Sequence, residues 1–244
     1  MKLELAIILK ELFGLKGNHS PEKLLEKRKK LKKFISDEEL YFEAGYSEDF
    51  EISKDAIHFI DATNICATTP EKIKGYIHMK PLFQRLMKLD TWNYYDIQLF
   101  IGSINFITTV EEAAELASKA MKVIHAFRGT HNTDVMEGVL ACNMCSFLLH
   151  TKYFSDNVKV DLTSQFNSWF SRIEPLEELN YELSFPFMAT EIRQALFNQD
   201  DKRLHELCEE LHEIHEEEIE CAIKNEINFY TNSPKYKALQ GGEQ

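Results

Sequence analysis

Apolar positions recur at intervals of three and four in segment after segment of this chain, the spacing of a helix face. Gly and Pro fall mostly between those segments, so the pattern predicts an all-α chain. The first helix covers roughly residues 2–13 and stops at Gly14. Ser20 and Pro21 supply an N-cap and an N1 proline for a helix running to about Ile35. Another helix is expected over about 53–65, and Pro81 suits the first turn of one ending at Leu89. Trp92 lies in the tight turn that follows. Asn93 and Asp96 stand at N-cap and N3 of a helix over Tyr94–Phe106, a capping box with Asp in place of Glu. Thr109 and Glu112 form a second box, opening a helix with Ala113, Ala120 and Ile124 on one face and Gly129 as its stop. Further helices are expected over about 133–151, 158–172, 180–198 and 201–229. Within the third, Pro186 marks a kink or the true start. The tail 231–244 reads as frayed. Helix pairs succeeding one another every 35–45 residues or so suggest stacked antiparallel hairpins, a TPR-like α-solenoid.

Composition narrows the class. A chain of 244 residues with 44% hydrophobic content can bury a large core. Its net charge of -12 opposes a duplex phosphate backbone overall, so no direct DNA contact is expected. No apolar run reaches membrane-spanning length, and the N-terminus lacks a small-residue cleavage site. Five cysteines, an odd number, are the usage of free thiols in a reducing cytoplasm.

Candidate chemistry is sparse. There is no Ser/His/Asp arrangement, Walker loop or His-Glu-x-x-His motif, so a binding module is expected rather than an enzyme, with no cofactor and no metal. Cys142 and Cys145 form a CxxC inside a helix, where they read as two small buried hydrophobes. His205, Cys208, His212 and His215 fall at spacings of three, four and three. That spacing permits soft-metal binding and leaves a metal-dependent helical enzyme as one alternative. A protein–protein adaptor with no small ligand is the other. Lys23–Lys33 concentrates seven of the 28 basic residues. One reading is contact with nucleic acid or an acidic partner; the other is a solvated helix face packed through Leu24, Leu25 and Leu31, which the acidic segment 201–220 could pair with.

Three blocks resemble one family. They are Leu86–Phe106, with its Trp92, its Tyr94-Tyr95 pair and Asp96; Leu140–Asn143 followed ten residues later by Tyr153-Phe154; and Glu178–Glu182 with the Ile-Arg-Gln run leading to Asn198-Gln199. Together they resemble the C-terminal helical-repeat domain of the Rgg/GadR/MutR transcriptional regulators of Gram-positive bacteria. The resemblance implies helices over 1–70, a repeat domain over 71–230 and the tail 231–244. It also implies a short hydrophobic signalling peptide bound on the inner face of the repeats. Asn143 matches the family's inner-face asparagine, whose amide can both donate to and accept from a peptide backbone. Met144 and Phe147 accompany it. Asn105 falls where relatives carry Arg, and Gly102 where they carry Asn. Tyr181 and Phe185 line the next helix inward. Relatives dimerise through their C-terminal helices, a seam Leu204, Leu207, Leu211, Ile214 and Ile219 could form here, as a homodimer or with a full-length regulator. Residues 1–70 carry no helix-turn-helix pattern, so the expected protein is the family's sensor half, standing alone or trimmed from a longer product.

Overall fold

The computed structural model describes residues 7–9, 12, 21–41, 48–68, 72–128, 132–156, 158–177, 183–213 and 217–240. Among them the chain forms twelve helices and no strand. It divides into two units, Met1–Ala126 and Phe127–Gln244.

Unit 1 holds α1 (Pro21–Tyr41), α2 (Glu48–Thr68), α3 (Lys72–Lys88), α4 (Tyr94–Ser103), a 3-10 turn (Ile104–Phe106) and α5 (Val110–Ala126). Each of α1, α2 and α3 packs on its successor in the chain. Leu24, Leu31, Ile52, Ile60, Leu82, Phe83, Leu86, Phe100 and Leu116 fill the core. In α1 the basic run lies largely outward. Leu24 and Leu31 are buried, whereas Leu25, expected to pack, is 47% exposed. Arg28 reaches α2 and donates to both oxygens of Asp61, at 2.6 and 2.9 Å. Where α3 and α2 meet, Gly75 leaves no room for a side chain: an added Cβ would lie 2.7 Å from Cys66 Sγ and from the Phe106 ring.

Pro81 sits mid-helix in α3 rather than in its first turn. It is exposed, and so is Ile77, whose carbonyl it leaves without an intrahelical donor. Water can take that carbonyl, which is why the helix tolerates the proline.

Unit 2 holds α6 (Thr133–Phe154), α7 (Leu162–Phe170), α8 (Glu174–Glu177), α9 (Ser184–Asn198), α10 (Asp201–Glu213), α11 (Glu217–Thr231) and α12 (Pro234–Gln240). α6 is its axis and packs on α7 and α9. α7 starts where Asp161 Oδ1 accepts from the backbone N–H groups of Thr163 and Ser164. Pro186 lies in the first turn of α9 and marks its start. α9 ends in a Schellman turn: Gln199 is left-handed at φ 56°, and the Asp200 N–H donates to Ala195 O.

Two expectations are corrected here. The single helix over 201–229 is two helices. His212 Nδ1 lies 3.2 Å from Glu220 Oε1, whereas eight residues of continuous helix would separate them by about 12 Å. The tail does not fray throughout: α12 is ordered over Pro234–Gln240, with Tyr236 buried and donating from Oη to Asp201 Oδ1 at 3.0 Å.

Candidate functional site

The Leu86–Phe106 block is helix-end chemistry inside unit 1. The last turn of α3 exposes carbonyls that have no intrahelical donor. Three of them find partners: the Leu89 N–H donates to Arg85 O, the Trp92 indole to Leu86 O at 2.9 Å, and Lys119 Nζ to Met87 O. The next helix starts two residues after Trp92. Asn93 Oδ1 accepts from the N–H groups of Tyr95 and Asp96, and Asp96 Oδ2 accepts from the Asn93 N–H. The capping box expected from the sequence is therefore complete. Asp96 Oδ1 also accepts from Arg85 at 2.5 Å, and Arg85 Nε donates to Asp55 Oδ2 at 2.7 Å. One guanidinium thus ties α2, α3 and α4 together. Burial pushes the Asp55 carboxyl up to about 7, against the pull of Arg85. Gly102 and Asn105, the proposed ligand residues of this unit, are both exposed at the end of α4 and in the 3-10 turn.

In unit 2 the proposed residues separate by burial. Met144 and Phe147 are 1% exposed, so they are core side chains and present no surface to a ligand. Phe185 is exposed in the first turn of α9. Tyr181 lies outside the described residues. Asn143 is half-buried. It belongs to a stripe of less covered positions on α6, namely Val139, Asn143, Ser146, His150 and Phe154. Spacings of four, three, four and four keep the stripe on one side of the helix. Apart from Asp134 and Lys152 on the far side, every other side chain of α6 is buried.

The stripe is about 22 Å long at 1.5 Å per residue. It bears no carboxylate, lysine or arginine, although unit 2 carries 21 acidic residues against 10 basic ones. At its C-terminal end rings pack together, tilted in one pair and stacked in the next. His150 and Phe154 have centroids 4.9 Å apart, and Phe154 and Phe229 of α11 4.7 Å apart. Phe154 is 38% exposed and Phe229 52%.

The rest of the second block is structural. Tyr153 Oη donates to Leu196 O at 2.7 Å, and Lys152 Nζ donates to Phe197 O, so both close carbonyls at the end of α9. Cys142 and Cys145 are buried, and burial pushes both thiols up, away from thiolate chemistry. Leu204, Leu207 and Leu211, proposed for a dimer seam, are buried within the chain itself, on a helix packed against α9. Ile214 lies outside the described residues, as does His215. His205 and His212 are exposed beside Glu209 and Glu220. Among the described residues no group of three His, Cys, Asp or Glu side chains could hold a metal ion. No helix among them is long and apolar enough to cross a membrane.

No protein-family model, no curated protein and no solved structure matches the chain.

Of the stripe's other members, Phe154 stood out in the sequence only as half of the Tyr153-Phe154 pair, and Val139, Ser146 and His150 did not stand out. Their signal was there, a period of four, three, four and four through Asn143. It was hidden beside the row Met136, Leu140, Asn143 and Phe147, which is one turn-step around the helix and more apolar.

Proposed function

We propose that this protein is an Rgg-like sensor module that binds a short hydrophobic peptide along the open stripe of α6. In this reading the helix hairpins within each unit are TPR-like repeats. Transcription is modulated through a DNA-binding partner, or through a DNA-binding domain of a longer chain. The observation that supports it is the placement of Asn143 on the least covered side of an otherwise buried helix. An extended peptide must find partners for its backbone N–H and C=O groups. The side chains of Asn143 and Ser146 are of types that both donate and accept, and the ring stack at Phe154 and Phe229 offers an apolar stop. A stripe of about 22 Å matches six or seven extended residues at roughly 3.3 Å each.

The exposed ring pair also favours a second reading, an adaptor that docks the apolar face of a partner helix. Selection separates the two. A display library of hydrophobic octapeptides is panned on the full chain, and the winners are titrated against wild type and Asn143→Ala. The sensor reading expects winners that bind wild type and lose about tenfold in affinity on Asn143→Ala, the cost of one buried hydrogen-bonding group. Asp134→Ala, on the far side of α6, should bind as wild type. Peptides that ignore Asn143→Ala, or a library that yields no binder, would sink the reading.

A further inference from the structure

Arg85 is outnumbered. Its terminal nitrogen lies 2.7 Å from Asp55 Oδ2 and 2.5 Å from Asp96 Oδ1, and its Nε donates to the same Asp55 oxygen. Both carboxylates are buried, with Asp55 4% and Asp96 1% exposed. Fully ionised, the cluster holds one negative charge in excess in the interior of unit 1, where an unbalanced charge is costly.

Among the described residues, no cation besides Arg85 is hydrogen-bonded or ion-paired to the two carboxylates. On α2 itself, Glu51 adds to the negative field at Asp55 and is itself within 3.7 Å of Lys54, while Asp61 is taken by Arg28. His58, one turn along, is held below its ordinary value by burial, despite Asp61, and so stays neutral near pH 7. From α3 the charged group at the cluster is Arg85, and from α4 it is Asp96. α1 contributes Arg28, which is paired with Asp61, and the buried Lys27.

The two carboxylates are not equivalent. Asp96 already accepts from the Asn93 N–H in the capping box, a bond that only its ionised form makes without competition for the oxygen. Among the described residues Asp55 accepts from no backbone N–H; Arg85 grips its Oδ2 alone. The proton that relieves the excess therefore belongs on Asp55.

We propose that the Asp55–Arg85–Asp96 junction is a proton-sensitive latch, which fastens the N-terminus of α4 to α2 and α3 more firmly when Asp55 carries one proton. With Asp55 neutral, Arg85 and Asp96 form a matched pair, and the capping box stays anchored to the end of α3. With Asp55 ionised, two carboxylates compete for one guanidinium. The Asp55 carboxyl is pushed up to about 7 by burial, so the exchange falls at neutral pH. The sign follows from linkage. The folded state holds this proton more tightly than the unfolded chain does. Its stabilisation is complete below the ordinary aspartate range and is lost as pH rises to about 7 and beyond. An ordinary ion-paired aspartate changes stability in the opposite direction. The latch stands independently of any peptide.

The chain has two tryptophans, Trp92 beside the latch in unit 1 and Trp169 in unit 2. In the chain carrying Trp169→Phe, thermal unfolding followed by Trp92 fluorescence should show a midpoint falling by roughly 4–8 °C between pH 5.5 and 8.5. Asp55→Asn mimics the protonated acid and should remove most of that slope. A wild-type midpoint that is flat or rises over the same range overturns the latch, as does an Asp55→Asn variant with the wild-type slope. Should either variant fail to fold, carbon-13 carboxyl spectra of wild-type protein labelled at aspartate decide the matter. One aspartate resonance titrating between pH 6 and 8 supports the latch, and none doing so overturns it.

Discussion

Units 1 and 2 solve the same problem at the end of a helix and then differ in how they balance charge. In unit 1 the carbonyls ending α3 are closed by an aromatic donor, Trp92, and a lysine, Lys119. In unit 2 those ending α9 are closed by an aromatic donor, Tyr153, and a lysine, Lys152. The half-buried arginines part company. Arg193 of α9 grips Glu226 of α11 through two bonds of 2.7 and 3.0 Å, one cation to one anion. Burial works against the Arg193 charge, and Glu226 leads the neighbours that outweigh it, so the guanidinium is held above its ordinary range. Arg85 faces two carboxylates. A matched pair is indifferent to pH near 7, and an unmatched one is not. The local imbalance runs against the overall one, because unit 1 has 18 basic and 19 acidic residues while unit 2 has 10 and 21. Charge stored on a surface is solvated; charge stored at a helix junction shapes stability.

The sharpest way to break the comparison is to remove each arginine. Arg85→Ala strands two deeply buried carboxylates and should cost unit 1 roughly 3–5 kcal/mol. Arg193→Ala strands one, with Glu226 still 23% exposed, and should cost unit 2 roughly 1–3 kcal/mol. Urea unfolding read separately at Trp92 and Trp169 measures both. Equal losses would mean the extra carboxylate is immaterial.

A smaller contrast lies in the glycines. A Cβ at Gly75 meets the stiff Phe106 ring and Cys66 Sγ at 2.7 Å, whereas one at Gly138 meets the terminal methyls of Leu183 at 2.7 and 2.8 Å. Gly75→Ala should cost about 1–3 kcal/mol, and Gly138→Ala less, because a leucine end can rotate away. Circular dichroism melts of the two variants test the order.

Smaller still is the donor at each helix end. Tyr153→Phe removes only the bond to Leu196 O and should cost about 1 kcal/mol in thermal melts. A neutral result would mean that water replaces the hydroxyl at this buried site.

Local chemistry was legible in the sequence and longer-range packing was not. The Asn93–Asp96 capping box formed as read, because both of its bonds lie within four residues. At Thr109 the hydroxyl accepts from the Glu112 N–H as expected, while the Glu112 carboxylate accepts from Tyr76 of α3, a residue 36 positions away. The helix start at Pro21 was marked by its own residues, Ser20 and Pro21. The division of the segment into α10 and α11 was not. The acidic pattern continues through it, and no Gly or Pro interrupts residues 201–231. At the candidate site, Asn143 was legible as a polar residue in an apolar row. The row's other members proved to be core, because α6 is covered by α7 on one side and α9 on another. Which side a helix leaves open depends on neighbours that a spacing of three and four does not name.

The measurement that bears most directly on the proposed function places the ligand. A photoreactive benzoylphenylalanine is built in at Ser146 on the stripe, and in a second protein at Ser168, exposed on α7 of the same unit. Each is illuminated with an octapeptide selected on the wild-type chain, and the adduct is mapped by mass spectrometry. A peptide lying along α6 gives strong cross-linking from Ser146 and little from Ser168. Equal yields from the two, or an adduct from Ser168 alone, would contradict the assignment of this stripe as the ligand face.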